Sequence, residues 1–184
     1  MQEALRDYFL ESGARHHADA RHVLLHAGDV AQRLYLIEQG CARLYLIDAQ
    51  GRETSTQFFF EGEVVCSLES FLTGRPSALF LATIEPCRLR VVDGAAIKAL
   101  AAADATLQAD LQALMQQRLI HYVNLYASAI ADSPTERYRA LQATHHQRLD
   151  RIPLHILAAY LGVSAVHLSR IRRKLRESPP APGP

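Results

Sequence analysis

Between Arg21 and Asp93 short apolar runs alternate with glycine and acidic residues: HVLLHAGD, LYLIEQG, ARLYLIDAQG, TSTQFFFEG, ALFLATIE and CRLRVV. Runs of this length with such punctuation predict short antiparallel strands that close into a sandwich or barrel. Residues 2–20 ahead of them predict a short amphipathic helix and a loop. Beyond Asp93 the period becomes helical, and the Ala-, Leu- and Gln-rich stretch from Gly94 to about Ala131 predicts one long helix. Leu111, Met115, Tyr122, Leu125 and Ala129 form one stripe on it, interrupted by Arg118, while Leu119, Val123, Tyr126 and Ile130 form a second. One stripe can pack on the strands and the other on a second copy of the chain. Asp132, Ser133 and Pro134 then end this helix and begin another, TERYRALQATHH, with Ser133 as cap and Pro134 at its first position.

The final pattern, LHILAAYLGVSAVHLSRIRRKLR over Leu154–Arg176, predicts two short helices joined by a glycine turn. A helix-turn-helix needs a small residue where the helices approach, a turn residue that tolerates positive φ, and an apolar seam. Ala158 meets the first need and Gly162 the second. Leu157, Leu161, Val163, Leu168, Ile171 and Leu175 make the seam, and Ser164 is placed to cap the second helix. The outer face is then left to Ser164, Ala165, Val166, His167, Ser169, Arg170 and Arg173. Arg172, Lys174 and Arg176 stand near the helix end. Base contacts from the earlier positions and phosphate contacts from the later ones are the reading this division supports.

Charge sharpens that reading. The net charge of +1 says nothing about nucleic acid, yet residues 133–177 carry a balance of +6 and residues 1–132 a balance of −5. A cationic C-terminal module on a mildly acidic body suits binding to phosphates by counterion release. At 184 residues and 49% hydrophobic, the chain has room for one ordinary domain and one small one. It holds no apolar run of membrane-spanning length, and its N-terminus lacks the basic-then-apolar order of a secretion signal, so the cytoplasm is the expected location. Cys41, Cys66 and Cys87 are odd in number and widely spaced, which fits reduced thiols better than disulfides or metal ligands.

This order of strands, long helix and helix-turn-helix resembles the Crp/Fnr family of bacterial transcription regulators over about residues 5–176. The family's glycine punctuation is matched by Gly28 with Asp29, by Gly40 and Gly51, and by Gly62 with Glu63; PTERYRALQ and RIPLHILAAYLGVSAVHLSRIRRKL resemble its DNA-binding half. The resemblance implies an α+β chain. Its N-terminal antiparallel β-roll sensor domain, jelly-roll-like and of the cyclic-nucleotide-binding type, would span 1–103. A dimerisation helix would follow over 104–132, then an all-α helix-turn-helix domain over 133–177 and a structureless tail over 178–184. In family members that bind cyclic nucleotides a Gly-Glu pair opens a phosphate cassette and a later Arg neutralises the phosphate. Gly62 and Glu63 match the opening, but counting back from Cys87 puts Ser77 in the Arg position, with Arg75 two residues away as the available substitute. The roll is therefore expected not to take cyclic AMP in the usual way, and no cofactor is implied as required. The reading helix departs too: Ala165 and Val166 stand where members with well-known palindromic sites often carry Arg-Glu, while Arg170 matches a later Arg.

Catalytic constellations are not found. His16, His17, His22 and His26, and His145 with His146, lack the spacing of a metal site and read as surface or helix-terminal residues. The implied partners are double-stranded DNA, a second copy of the chain and RNA polymerase, with no membrane. A ligand-sensing or protein-interaction module that does not read DNA is the competing reading.

Overall fold

The computed structural model describes residues 3–177. Helix α1 (Glu3–Ser12) leads into eight strands: β1 (Ala14–Ala18), β2 (Val23–Leu25), β3 (Arg33–Gln39), β4 (Ala42–Ile47), β5 (Glu53–Phe59), β6 (Val64–Val65), β7 (Phe80–Thr83) and β8 (Cys87–Asp93). A short helix α2 (Leu68–Thr73) lies between β6 and β7. The strands form two four-stranded antiparallel sheets, ordered β1-β8-β3-β6 and β2-β7-β4-β5. The six runs read from the sequence all become strands. Strand β1 is an addition, since ARHHA was expected to be loop; it pairs along its whole length with β8, from Ala14–Val91 to Ala18–Cys87. Its residues are mostly exposed, so pairing with a partner 70 residues away, and not any apolar pattern, makes it a strand.

The two sheets close on an interior of Tyr35, Ile37, Ala42, Leu44, Phe59, Val65, Leu81, Cys87 and Leu89. Consecutive phenylalanines at the end of β5 serve two cores. Phe59 points into this interior, while Phe58 and Phe60 face outward into a cluster shared with the C-terminal helices. A third cluster joins Leu5 and Phe9 of α1 to Phe71 of α2 and to the helices that follow the roll.

The expected single helix from Gly94 to Ala131 is broken at Asp104 into α3 (Gly94–Ala103) and α4 (Ala105–Ala131). Asp93 caps α3 by accepting from the Ala95 and Ala96 amides, and Asp104 does the same for Thr106 and Leu107. A short acid that satisfies the free amides of a new helix favours a fresh start over continuation. On α4, Leu107 and Leu111 are buried, whereas Leu119, Val123, Tyr126 and Ile130 are 58–71% exposed. The stripe interruption at Arg118 also has its reason, because the guanidinium donates to the Val64 carbonyl at 3.0 Å and lies 4.8 Å from the Phe59 ring centre.

Helix α5 (Pro134–His145) carries the expected start: Ser133 Oγ accepts from the Glu136 amide while Glu136 accepts from the Ser133 amide. A 3₁₀ turn (His146–Arg151) leads to α6 (Leu154–Tyr160) and α7 (Ala165–Glu177). Arg151 on that turn ties the C-terminal helices to the roll. Its guanidinium donates to Glu61 at 2.6 and 3.0 Å and to Glu85 at 2.9 Å, and Glu61 also accepts from the Gly40 amide. These donors hold the Glu61 carboxyl well below its ordinary range, at about 2. The tail expected over 178–184 lies outside the described residues.

Candidate nucleic-acid interface and sensor cassette

Helices α6 and α7 meet at 92°. Gly162 in the turn has φ +69°, and Val163 donates to the Ala158 carbonyl at 3.0 Å, so the small residue sits where the turn crosses the first helix. Leu157, Leu161, Leu168 and Ile171 are buried together with Val163 and Leu175 packed beside them, as the apolar seam predicts. Ser164 Oγ accepts from the His167 amide at 3.1 Å, the expected cap.

With the seam inside, α7 turns Val166, His167, Ser169, Arg170, Arg173, Lys174 and Arg176 to solvent, with Ala165 half-buried at its start. Val166 is 62% exposed, which leaves its methyl groups free to meet an apolar group such as a thymine methyl. Among the described residues no carboxylate oxygen lies within 4.0 Å of Arg170, Arg173, Lys174 or Arg176, so these four charges are uncompensated. Thr135 and Arg139 of α5 border the same groove as Ser164, Val166, His167, Arg170 and Lys174. Those two were missed as site residues; only the cationic balance of the segment pointed towards Arg139. Arg172 is a correction. Its side chain is 18% exposed and its guanidinium packs 5.6 Å from the Tyr138 ring, which turns it away from the face it was expected to join. Closeness to the helix end put Arg172 among the phosphate contacts, but the step of about 100° per residue sets it on a different side of α7 from Arg173.

The four residues named for effector binding do not converge. Gly62, at φ +84°, donates to the Ile37 carbonyl in the turn between β5 and β6. Glu63 folds its carboxylate onto the Phe60 amide at 3.1 Å, so it is a turn residue. Four residues further on, Ser67 heads α2 and its Oγ lies 2.8 Å from that of Ser77. Ser77 is buried; its hydroxyl is also 2.8 Å from the Leu79 carbonyl, its amide donates to Asp29, and its carbonyl accepts from Gly28. Arg75 is exposed and its carbonyl accepts from Ser70 Oγ. The groups facing each other across the cassette are thus two hydroxyls, Ser67 and Ser77, and Arg75 is not among them. Ser67 was not singled out because the Gly-Glu pair drew the reading four residues too early. Between cassette and α4, Phe59, Val64, Cys66, Leu68, Leu114, Arg118 and Tyr122 leave a cavity of only about 10 Å³, room for about one water.

The surroundings of all three thiols disfavour the thiolate. Burial pushes Cys66 up to about 12 and Cys87 to about 11, and Cys41 higher still. Among the described residues no group of three or more His, Cys, Asp or Glu is placed to hold a metal ion. No single helix among them is long and apolar enough to cross a membrane.

Residues 15–104 match the family model of the cyclic nucleotide-binding domain. FixK2 from Bradyrhizobium japonicum superposes with a TM-score of 0.79 at 18% identity, over 90% of this chain and 85% of that one. The chain has the Crp/Fnr fold, built on a cyclic nucleotide-binding domain. CLP of Xanthomonas campestris, a global regulator responsive to c-di-GMP, gives 0.72 at 19% identity over 95% and 91%. The Thermus thermophilus catabolite activator protein gives 0.58 at 24% over 95% and 83%. At such identities the Crp/Fnr likeness is one of fold. No curated protein matches the chain.

Proposed function

We propose that the protein is a homodimeric DNA-binding transcription regulator that works through binding, not catalysis, with α7 in the major groove of each half-site. The observation that carries this reading is the outer face of α7: four uncompensated cations and an exposed valine on the second helix of a 92° pair. Val166 and Arg170 are assigned to base edges, Arg170 as a bidentate donor to guanine, with Ser164, Ala165, His167 and Ser169 lining the approach. Arg173, Lys174, Arg176 and the added Arg139 are assigned to phosphates. Pairing rests on Leu119, Val123, Tyr126 and Ile130 of α4, an apolar stripe left open in one copy of the chain. RNA polymerase is the expected downstream partner and the cytoplasm the expected place.

For the roll, the Ser67–Ser77 pair, with a hydroxyl where the family's arginine is expected, and the closed space beside α4 support a sensor that does not hold a cyclic nucleotide at the cassette in the usual way. The test of the DNA reading is Arg170→Ala. It should cost about 1–3 kcal/mol of specific binding while leaving affinity for random duplex little changed. An unchanged specific affinity would favour a docking module.

A further inference from the structure

Of the exposed residues of α7, Val166 alone is apolar; His167, Ser169, Arg170, Arg173, Lys174, Arg176 and Glu177 are all polar or charged. The seam does not need it, because Leu168 and Ile171 are buried there with Ala165 and Leu175 packed beside them. Val166 precedes Arg170 by four residues, which is about one turn and roughly 6 Å along the axis, so the two side chains share a face. Both border the groove between α5 and α7, and none of the residues lining that groove is an acid. Base pairs stack at about 3.4 Å, so the pair spans one or two base steps.

A valine in this place reads one feature of a base pair. Its methyl groups neither donate nor accept a hydrogen bond, so in the major groove they recognise the C5 methyl of a pyrimidine and no other group. Thymine carries that methyl and so does 5-methylcytosine, whereas cytosine and uracil have a hydrogen there. Thymine and 5-methylcytosine differ at position 4, an oxygen acceptor against an amino donor, and telling these apart needs a polar partner that Val166 lacks. The nearest hydroxyl, Ser164 Oγ, already accepts from the His167 amide at 3.1 Å. Its remaining proton suits the N7 of adenine and of guanine alike. Arg170 has no carboxylate within 4.0 Å among the described residues, which leaves its guanidinium open to the O6 and N7 of a guanine.

We propose that Val166 makes this chain a reader of the pyrimidine C5 methyl itself, on thymine or on cytosine, one or two base pairs from the guanine held by Arg170. Methylation of a cytosine at that position then strengthens a binding site, and the regulator responds to the methylation state of its DNA. The inference rests on the DNA-reading role of α7 and names the chemistry of the DNA that this face prefers.

The experiment is competition binding of the full chain to duplexes built on a site selected from a random pool. Uracil replaces each thymine in turn, and the position with the largest loss is then tested with thymine, uracil, 5-methylcytosine and cytosine, each opposite its complementary purine. Thymine should bind about four-fold tighter than uracil, and 5-methylcytosine about four-fold tighter than cytosine, the effect of burying one methyl group. With both half-sites changed, the step should approach about sixteen-fold. Each comparison keeps the group at position 4, so contacts of Ser164 or His167 to it cancel. Val166→Ala should reduce both steps to less than two-fold, with the melting temperature and the preference for the Arg170 guanine kept. A selected site bound no tighter than random duplex overturns the DNA reading and this inference with it. Specific binding in which no uracil replacement matters, 5-methylcytosine binds no tighter than cytosine, or the steps survive Val166→Ala overturns this inference alone.

Discussion

Two glycines show how differently a single position can constrain this chain. Gly162 turns the backbone between α6 and α7 at φ +69°, and a Cβ there would meet nothing within 4 Å. Gly40, at φ +108°, ends β3 with a Cβ direction that runs 2.5 Å from Cys87 Sγ and 2.8 Å from the Pro86 carbonyl. Gly162→Ala should therefore cost about 1–2 kcal/mol, the conformational term alone, with the fold kept. Gly40→Ala adds a collision inside the roll and should cost clearly more, since overpacking contributes a further 1–3 kcal/mol or so. Chemical denaturation of both variants measures the difference; equal losses would mean that the close approach at Gly40 is relieved at no cost.

Helix α4 is the element on which most of the organisation turns. Its buried stripe packs on the roll, its polar face lines a cleft between the roll and α5, and its exposed stripe of Leu119, Val123, Tyr126 and Ile130 is the surface proposed to meet a second copy. Val123→Asp with Tyr126→Asp should convert a dimer to a monomer in sedimentation while each copy stays folded, because both side chains are more than half exposed in one copy. A dimer that survives both changes would place the interface elsewhere. Both apolar stripes were legible in the sequence, because helical periodicity reports burial of either kind. The polar third face was not, since Gln117, His121, Asn124 and Ser128 look like any solvated surface until α5 is seen opposite. The strands show the same division. Apolar runs such as LYLIEQG announce β3, while ARHHA becomes β1 only through its pairing with β8. For the reading helix, turn glycine, small residue, cap and seam were all legible. The inward turn of Arg172 was not, because it depends on Tyr138 from another helix.

At the scale of the whole molecule, the C-terminal helices share a core with Phe58 and Phe60 of the roll, and the Arg151 link to Glu61 and Glu85 lies beside it. That link carries a pH signature. The Glu61 carboxyl falls from its ordinary 4.5 to about 2 on folding, chiefly through Arg151. A depressed carboxyl stabilises fully above about 4.5, and the contribution is lost as pH falls towards 2. Glu61→Gln should flatten the decline of melting temperature with pH between about 4.5 and 2 relative to the unmodified chain. Parallel curves would show that the link contributes nothing to stability.

The central claim is that the exposed face of α7 reads DNA, and a salt titration of binding tests it most directly. Affinity for duplex DNA should fall linearly in log–log form as salt rises, and Lys174→Ala should reduce the slope by about one unit. In the same titration Arg170→Ala should reduce the preference for a selected site over random duplex by about 1–3 kcal/mol and leave the slope for random duplex nearly as it was. Weak binding with no salt dependence, or a site preference indifferent to Arg170, would contradict the account.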